Sequence, residues 1–207
     1  MWIVTGILIL ILLGMLYREY VLYRAEQAIN EIIGVDPEDE VSKLEQIANI
    51  KQEGITFRSS EKEHDFIFDY SNNFYYASHP YYALLTDAGD LGLLNNVYGI
   101  SDRECVDQNA YRIILEGLDA ISGIGITNIS SEDRYCVTFE LDGKLRKWKA
   151  KKQGDWVDHR LASYLNRFLS ADQLFFTDST HEGIIYFFGS QEQAERLNQR
   201  FGLHFTR

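Results

Sequence analysis

The sequence predicts an α+β fold behind an N-terminal transmembrane helix, with a mostly antiparallel sheet and helices packed on one face. Three observations carry that reading. The stretch from Trp2 to Tyr17 holds no charged residue. Asp142-Gly143 divides two alternating strand patterns, which is a strong short-range hairpin signal. The last third then runs helix, strand, strand, helix, with boundary residues at most of the joins, and this order suits a layered α+β design.

The apolar opening is interrupted only by Thr5, Gly6 and Gly14. As a helix, residues 2–17 span about 24 Å, and snorkelling of Arg18 with a further turn through Tyr20–Tyr23 covers the ~30 Å core of a bilayer. Trp2 at one end, and Tyr17, Arg18 and Tyr20 at the other, are the expected interfacial anchors. A cleaved signal peptide would begin with a basic region and end in a small-x-small site. Met1 is followed directly by Trp2, and Arg24 precedes Ala25. The bilayer contact is therefore expected through residues 2–23. Arg18 and Arg24 flank the C-terminal side, so the positive-inside bias puts the remaining chain in the cytoplasm. Cys105 and Cys136 have no metal-site spacing and suit a reducing compartment.

Residues 24–54 read as a juxtamembrane helical hairpin. Apolar positions from Val21 to Ile33 recur at helical spacing up to Gly34. Asp36-Pro37 then opens a second helix with acids at 38–40, an apolar stripe of Val41, Leu44, Ile47 and Ala48, and Gly54 as its stop. Residues 55–207 form the expected α+β domain. Residues 55–76 read as extended, on the β-forming character of Phe66, Ile67, Phe68 and Tyr70. A short helix is expected at 81–86. Ser101 with Glu104 reads as a capping box for a helix faced by Tyr111, Ile114, Leu115, Leu118 and Ile121 and closed by Gly123. Residues 134–141 and 144–150 are the hairpin strands. Asp155 caps a helix carrying Trp156, Leu161, Tyr164, Leu165, Phe168 and Leu169 on one side. Strands follow at 174–177 and 184–188, then a helix opened by Ser190 and Gln193 and closed by Gly202. A last short strand is expected at 203–205.

Charge narrows the function. Thirty-one acidic against twenty basic residues give a net charge of -11. No nucleic-acid partner is expected, because phosphate neutralisation needs a broad cationic face. Adhesion to an anionic leaflet is disfavoured for the same reason. Within this acidity, Lys144 to Lys152 concentrates six cations in nine residues around Trp148. An edge strand uses lysine to discourage pairing, and that is the plain reading; an acidic partner surface, or contact with anionic headgroups near the tether, are the functional ones. The acids Asp102, Glu104 and Asp107 lack the alternation and glycine of a calcium loop and suit capping. The five histidines have no ligand spacing, and no phosphate loop or nucleophile elbow is present, so neither metal nor cofactor is expected.

Trp148, Trp156, Lys147, Lys149, Asp155 and Asp158 fall at one strand–helix corner, the candidate binding site. Asp155, Asp158 and His159, with His181 as a possible helper, are the only set suggesting acid–base chemistry, although acids at helix starts are ordinary dipole partners. The sequence thus points to a single-pass, membrane-anchored binding protein with a protein partner, without catalysis, of an immunity or inhibitor type. A membrane-tethered hydrolase using the Asp/His set, or a scaffold subunit of a membrane complex, are the alternatives. The span makes a direct prediction. The full-length chain is expected in the membrane pellet and should stay there through an alkaline carbonate wash; recovery in the soluble fraction overturns it.

Overall fold

A computed structural model describes residues 17, 43–69, 79–101, 108–151, 157–181 and 183–207. The chain divides into two compact units, Met1–Val41 and Ser42–Arg207, and the elements below all belong to the second. Of the expected span only Tyr17 is described, helical and exposed; Trp2, Arg18 and Tyr20 lie outside the described residues, as do Gly34 and Asp36. Among the described residues no helix is long and apolar enough to cross a membrane.

The domain is α+β, with two antiparallel three-stranded sheets in place of the single sheet expected. Helix α1 (Lys43–Gln52) buries Ile47 of the anticipated stripe together with Ile50, while Leu44, of the same stripe, stands 63% exposed. Helix α2 (Ser60–Asp69) replaces the expected extended segment. The Ser59 hydroxyl accepts the Lys62 N–H at 3.2 Å, Glu61 and Glu63 favour the first-turn dipole, and Phe66 seats its ring 5.7 Å from that of Phe57. A capped helix with one buried aromatic outweighs the β-forming tendency of residues 66–68. Helix α3 (Pro80–Asp90) is longer than expected and leads to β1 (Val97–Ile100), which the sequence pattern did not announce.

Helix α4 (Ala110–Ser122) presents the anticipated buried face and ends at Gly123, but Ser101 does not open it. The Ser101 hydroxyl instead donates to the Asp90 carboxylate at 2.5 Å, and Glu104 lies outside the described residues. Strand β2 (Thr127–Asp133), mostly exposed, adds to the expected hairpin of β3 (Cys136–Leu141) and β4 (Lys144–Lys149). Asp142 and Gly143 have φ of 53° and 67°, the doubly left-handed turn that matches strand twist. Helix α5 (Arg160–Leu165) starts later than Asp155 and continues as a 3-10 turn, Asn166–Phe168. Strands β5 (Leu174–Asp178) and β6 (Ile184–Gly189) stand where expected, and helix α6 (Gln191–Phe201) begins with both bonds of the Ser190–Gln193 capping box. The final strand reduces to a single bridge, Thr177 to Thr206.

The first sheet has the order β1-β6-β5 and the second β2-β3-β4. The runs Leu174–Thr177 and Ile184–Phe187 are apolar or buried at every position because the first sheet has a hydrophobic core on each side. Leu174, Phe176, Ile185 and Phe187 face one core with residues of α1, α2, α3 and α6. Phe175, Ile184 and Tyr186 face the other, with α4, α5 and the inner face of β3. Helices therefore lie on both faces of this sheet rather than on one. The free edge of β5 is covered: the Asn166 side chain accepts from Phe175 N–H at 2.7 Å and donates to its carbonyl at 2.8 Å.

Helix α3 and β1 approach backbone to backbone. A Cβ on Gly99 would overlap the Thr86 carbonyl oxygen and come within 2.9 Å of Asp90 N, and one on Gly89 would lie 2.5 Å from Gly99 N. Neither obstacle is a flexible side chain. Gly99→Ala is therefore expected to cost roughly 2–3 kcal/mol, read as a lower denaturant midpoint at unchanged slope. A wild-type midpoint would show that the two elements separate freely.

Candidate functional site

The edge of β4 and helix α5 with its 3-10 extension enclose a groove of about 390 Å³, lined by Trp148, Lys149, Lys151, Arg160, Ser163, Tyr164 and Arg167. β4 reaches this position because β3 carries Val137, Phe139 and Leu141 into the second core. Antiparallel register then sets Trp148 opposite Val137 and Arg146 opposite Phe139. Helix α5 is anchored through buried Leu161, Ala162 and Leu165, so its other face, Arg160, Ser163, Tyr164 and Arg167, looks into the groove.

Aromatic and cationic groups alternate here. The Trp148 and Tyr164 rings lie 5.3 Å apart at 44°, and Tyr164 meets Phe168 edge-on at 5.4 Å. The Arg146 guanidinium sits 4.2 Å over Phe168, and that of Arg167 sits 5.6 Å from the Tyr164 centroid. Such contacts hold guanidinium groups in place without neutralising them. The Tyr164 hydroxyl donates to the Lys147 carbonyl at 3.3 Å, which ties helix to strand.

Asp158 is 2% exposed and is the single carboxylate among the described residues that pairs with a groove cation. Its Oδ1 accepts from Arg160 Nε at 2.7 Å and from Arg160 N at 3.2 Å. Oδ2 accepts from Lys151 N at 2.9 Å and from Arg160 Nη2. Its own N–H donates to the Tyr111 hydroxyl at 2.8 Å. Burial pushes this carboxyl up, but the Arg160 guanidinium and the two backbone N–H groups outweigh it and hold it below the usual carboxylate range. No carboxylate among the described residues pairs with Lys149, Lys151 or Arg167.

Of the corner expected from sequence, Trp148 and Lys149 line the groove, and Asp158 lies behind it as the clamp on Arg160. Strand alternation turns the side chains of Lys147 and Lys149 to the sheet face opposite Trp148; Lys147 pairs there with Glu132 beside the Cys136 thiol, and Lys149 borders the groove from the strand edge. Trp156 and Asp155 lie outside the described residues. His159 precedes the first turn of α5. His181 is on the β5–β6 loop, with its ring 4.0 Å from His79 and 4.5 Å from Tyr82. The groove residues that sequence reasoning missed are Arg160, Ser163 and Arg167. With Tyr164 they fall at i, i+3, i+4 and i+7, a polar stripe complementary to the apolar one and visible in the sequence.

A second depression of about 440 Å³ lies between α1 and α2, but its charges, Lys51 and Glu63, pair with each other at 2.9 Å. Among the described residues no group of three or more potential ligands could hold a metal ion. No family model, curated protein or solved structure matches this chain.

The clamp has a pH signature. The folded pKa of Asp158 lies below the unfolded value of about 3.9, so its stabilisation is complete above about pH 4 and disappears as pH falls through the folded value. Asp158→Asn is expected to lose about 2–3 kcal/mol at neutral pH and to flatten the acid limb of the stability profile. Parallel wild-type and variant profiles between about pH 5 and pH 3 would assign that limb to other carboxylates.

Proposed function

We propose that this chain is a membrane-anchored binding protein without a catalytic role, and that its folded domain captures an anionic group of its partner in the groove between β4 and α5. The observation that carries the reading is local charge. A chain of net charge -11 lines one groove beside Trp148 and Tyr164 with Lys151, Arg160 and Arg167, and among the described residues Asp158 is the one carboxylate paired with them. A purely solubilising edge strand would not require a facing helix to add two arginines on the same side.

Binding rather than hydrolysis is supported by the state of Asp158. A general base needs a lone pair directed at substrate, and both oxygens of this carboxylate already accept two hydrogen bonds each. Anchoring is supported by the uncharged run from Trp2 to Tyr17, and the arginines that follow it favour a cytoplasmic domain. The strongly acidic remainder suits an inhibitor-type protein that meets a partner of mixed charge, acidic where it enters the groove and basic around it.

The test is partner capture by the full-length chain purified from membranes in mild detergent. A stoichiometric partner is expected with the wild type and should be lost in the double charge reversal Lys151→Glu, Arg167→Glu. A chain that emerges alone, or a partner retained equally by both proteins, overturns the reading.

A further inference from the structure

We infer that the free edge of β4 receives an acidic segment of the partner protein as an added β-strand. Its backbone pairs with Leu145, Lys147 and Lys149, and its carboxylates meet the lysines and arginines on either side of that edge. The inference rests on the anion-capturing role proposed above and names the form in which the partner delivers its charge.

The hairpin fixes which backbone groups are free. With a two-residue turn of left-handed conformation, Leu141 and Lys144 are a hydrogen-bonded pair, and such pairs recur at every second residue. Arg146 and Trp148 therefore bond inward to β3, and Ala150 continues the series by donating to the Tyr135 carbonyl at 2.8 Å. Leu145, Lys147 and Lys149 turn their N–H and C=O groups outward. The Tyr164 hydroxyl agrees with that direction, because it reaches the Lys147 carbonyl from α5 at 3.3 Å. The second lone pair of that oxygen stays open. The three outward N–H groups have no acceptor among the described residues.

Other edges are blunted. Asn166 and Thr206 cover β5. β2 carries two register shifts and holds Asn128 at a φ of 51°, which breaks the regular spacing that an incoming strand needs. β1 has only four residues. β4 keeps its register through six residues and ends with its edge open.

Charge then selects the strand that fits. Lys144, Arg146, Lys149, Lys151 and Arg167 pair with no carboxylate among the described residues. An added strand turns alternate side chains to the outer face, beside Leu145, Lys147 and Lys149, and the others to the groove, towards Lys151, Arg160 and Arg167. Lys147 already holds Glu132, and Leu145 is 71% exposed, so the outer face suits a carboxylate near Lys149 and an apolar residue near Leu145. A second copy of β4 would set lysine against lysine, which is how edge strands avoid pairing with themselves. An acidic strand converts the same charges into attraction. Main-chain bonds then supply affinity, and the alternate side chains supply selectivity.

The experiment titrates the full-length chain in mild detergent with three probes. These are a synthetic peptide of alternating glutamate and valine, its lysine–valine counterpart, and inorganic tripolyphosphate as a compact anion. Binding is read together with hydrogen exchange of individual amides by NMR. The acidic peptide is expected to bind and to slow exchange at Leu145, Lys147 and Lys149 about tenfold or more, leaving Arg146 and Trp148 unchanged. Leu145→Pro removes one outward N–H and spares the β3 ladder, so it should weaken the peptide about tenfold, whereas Leu145→Thr, which keeps the N–H, should cost less than about threefold. The wild-type exchange pattern decides the matter even where the proline disturbs folding. Peptide binding with those three amides exchanging as before overturns strand addition and retains the anion groove, and so does tripolyphosphate binding as tightly as the peptide. Self-association of the chain that Leu145→Pro abolishes assigns the edge to a second copy and overturns the acidic partner. Equal binding of the lysine peptide, or silence from both acidic probes, overturns the inference and the anion-capturing reading together.

Discussion

The hairpin of β5 and β6 is the wall on which both hydrophobic cores are built. Its strands alternate strictly, so Phe176 and Phe187 point into one core while Phe175 and Tyr186 point into the other. No polar face remains for water, and a slip of one residue would exchange the two sets rather than expose one. The register is accordingly held at several points. Asn166 binds both backbone groups of Phe175, Thr206 pairs with Thr177, and buried Asp178 accepts the His204 N–H at 2.7 Å. These contacts also use the free edge of β5, which would otherwise offer an apolar strand to another chain.

The groove inherits its rigidity from that wall. Asn166 terminates α5 and grips β5, so the helix that supplies Arg160, Ser163 and Tyr164 is fixed to the best-buried strand of the domain. At the other end of the helix, Asp158 accepts from Lys151 and Arg160 and donates its N–H to Tyr111 of α4. The opposing wall, β4, is positioned through β3 and the same second core. Arg160 and Arg167 thus project from elements whose backbones are determined independently of any ligand. Positively charged side chains held near one another before binding lower the ordering cost of capturing an anion.

Legibility from sequence followed the range of the interaction. The hairpin at Asp142-Gly143, the capping box at Ser190, and the strands at 174–178 and 184–189 all rest on contacts within a few residues, and all stand where the pattern places them. The segment containing Phe66 did not, because its apolar residues satisfy strand and helix patterns alike and the arbiter, the Ser59 cap, is a single polar residue. β1 was hidden for a different reason. Val97-Tyr98-Gly99-Ile100 is short and carries a glycine that looks like a breaker, and the need for that glycine is visible only against the Thr86 carbonyl of α3. The site was legible by halves. Trp148 and Lys149 belonged to an evident cation run, whereas Arg160 and Arg167 were read past because the helix was scored for its apolar stripe alone.

The opposite signs of groove and chain bear on the selectivity of the anion capture proposed for it. At physiological ionic strength the Debye length is about 8 Å, so an anion farther away than that feels little of either charge. In the proposed capture an anion would place its charge among Lys151, Arg160 and Arg167. A basic protein attracts any anion and must discriminate by contact, whereas in this acidic chain the proposed capture is confined to the groove. In that arrangement the Asp158 clamp serves the groove as well as the fold, because it orients the Arg160 guanidinium and takes up part of its charge.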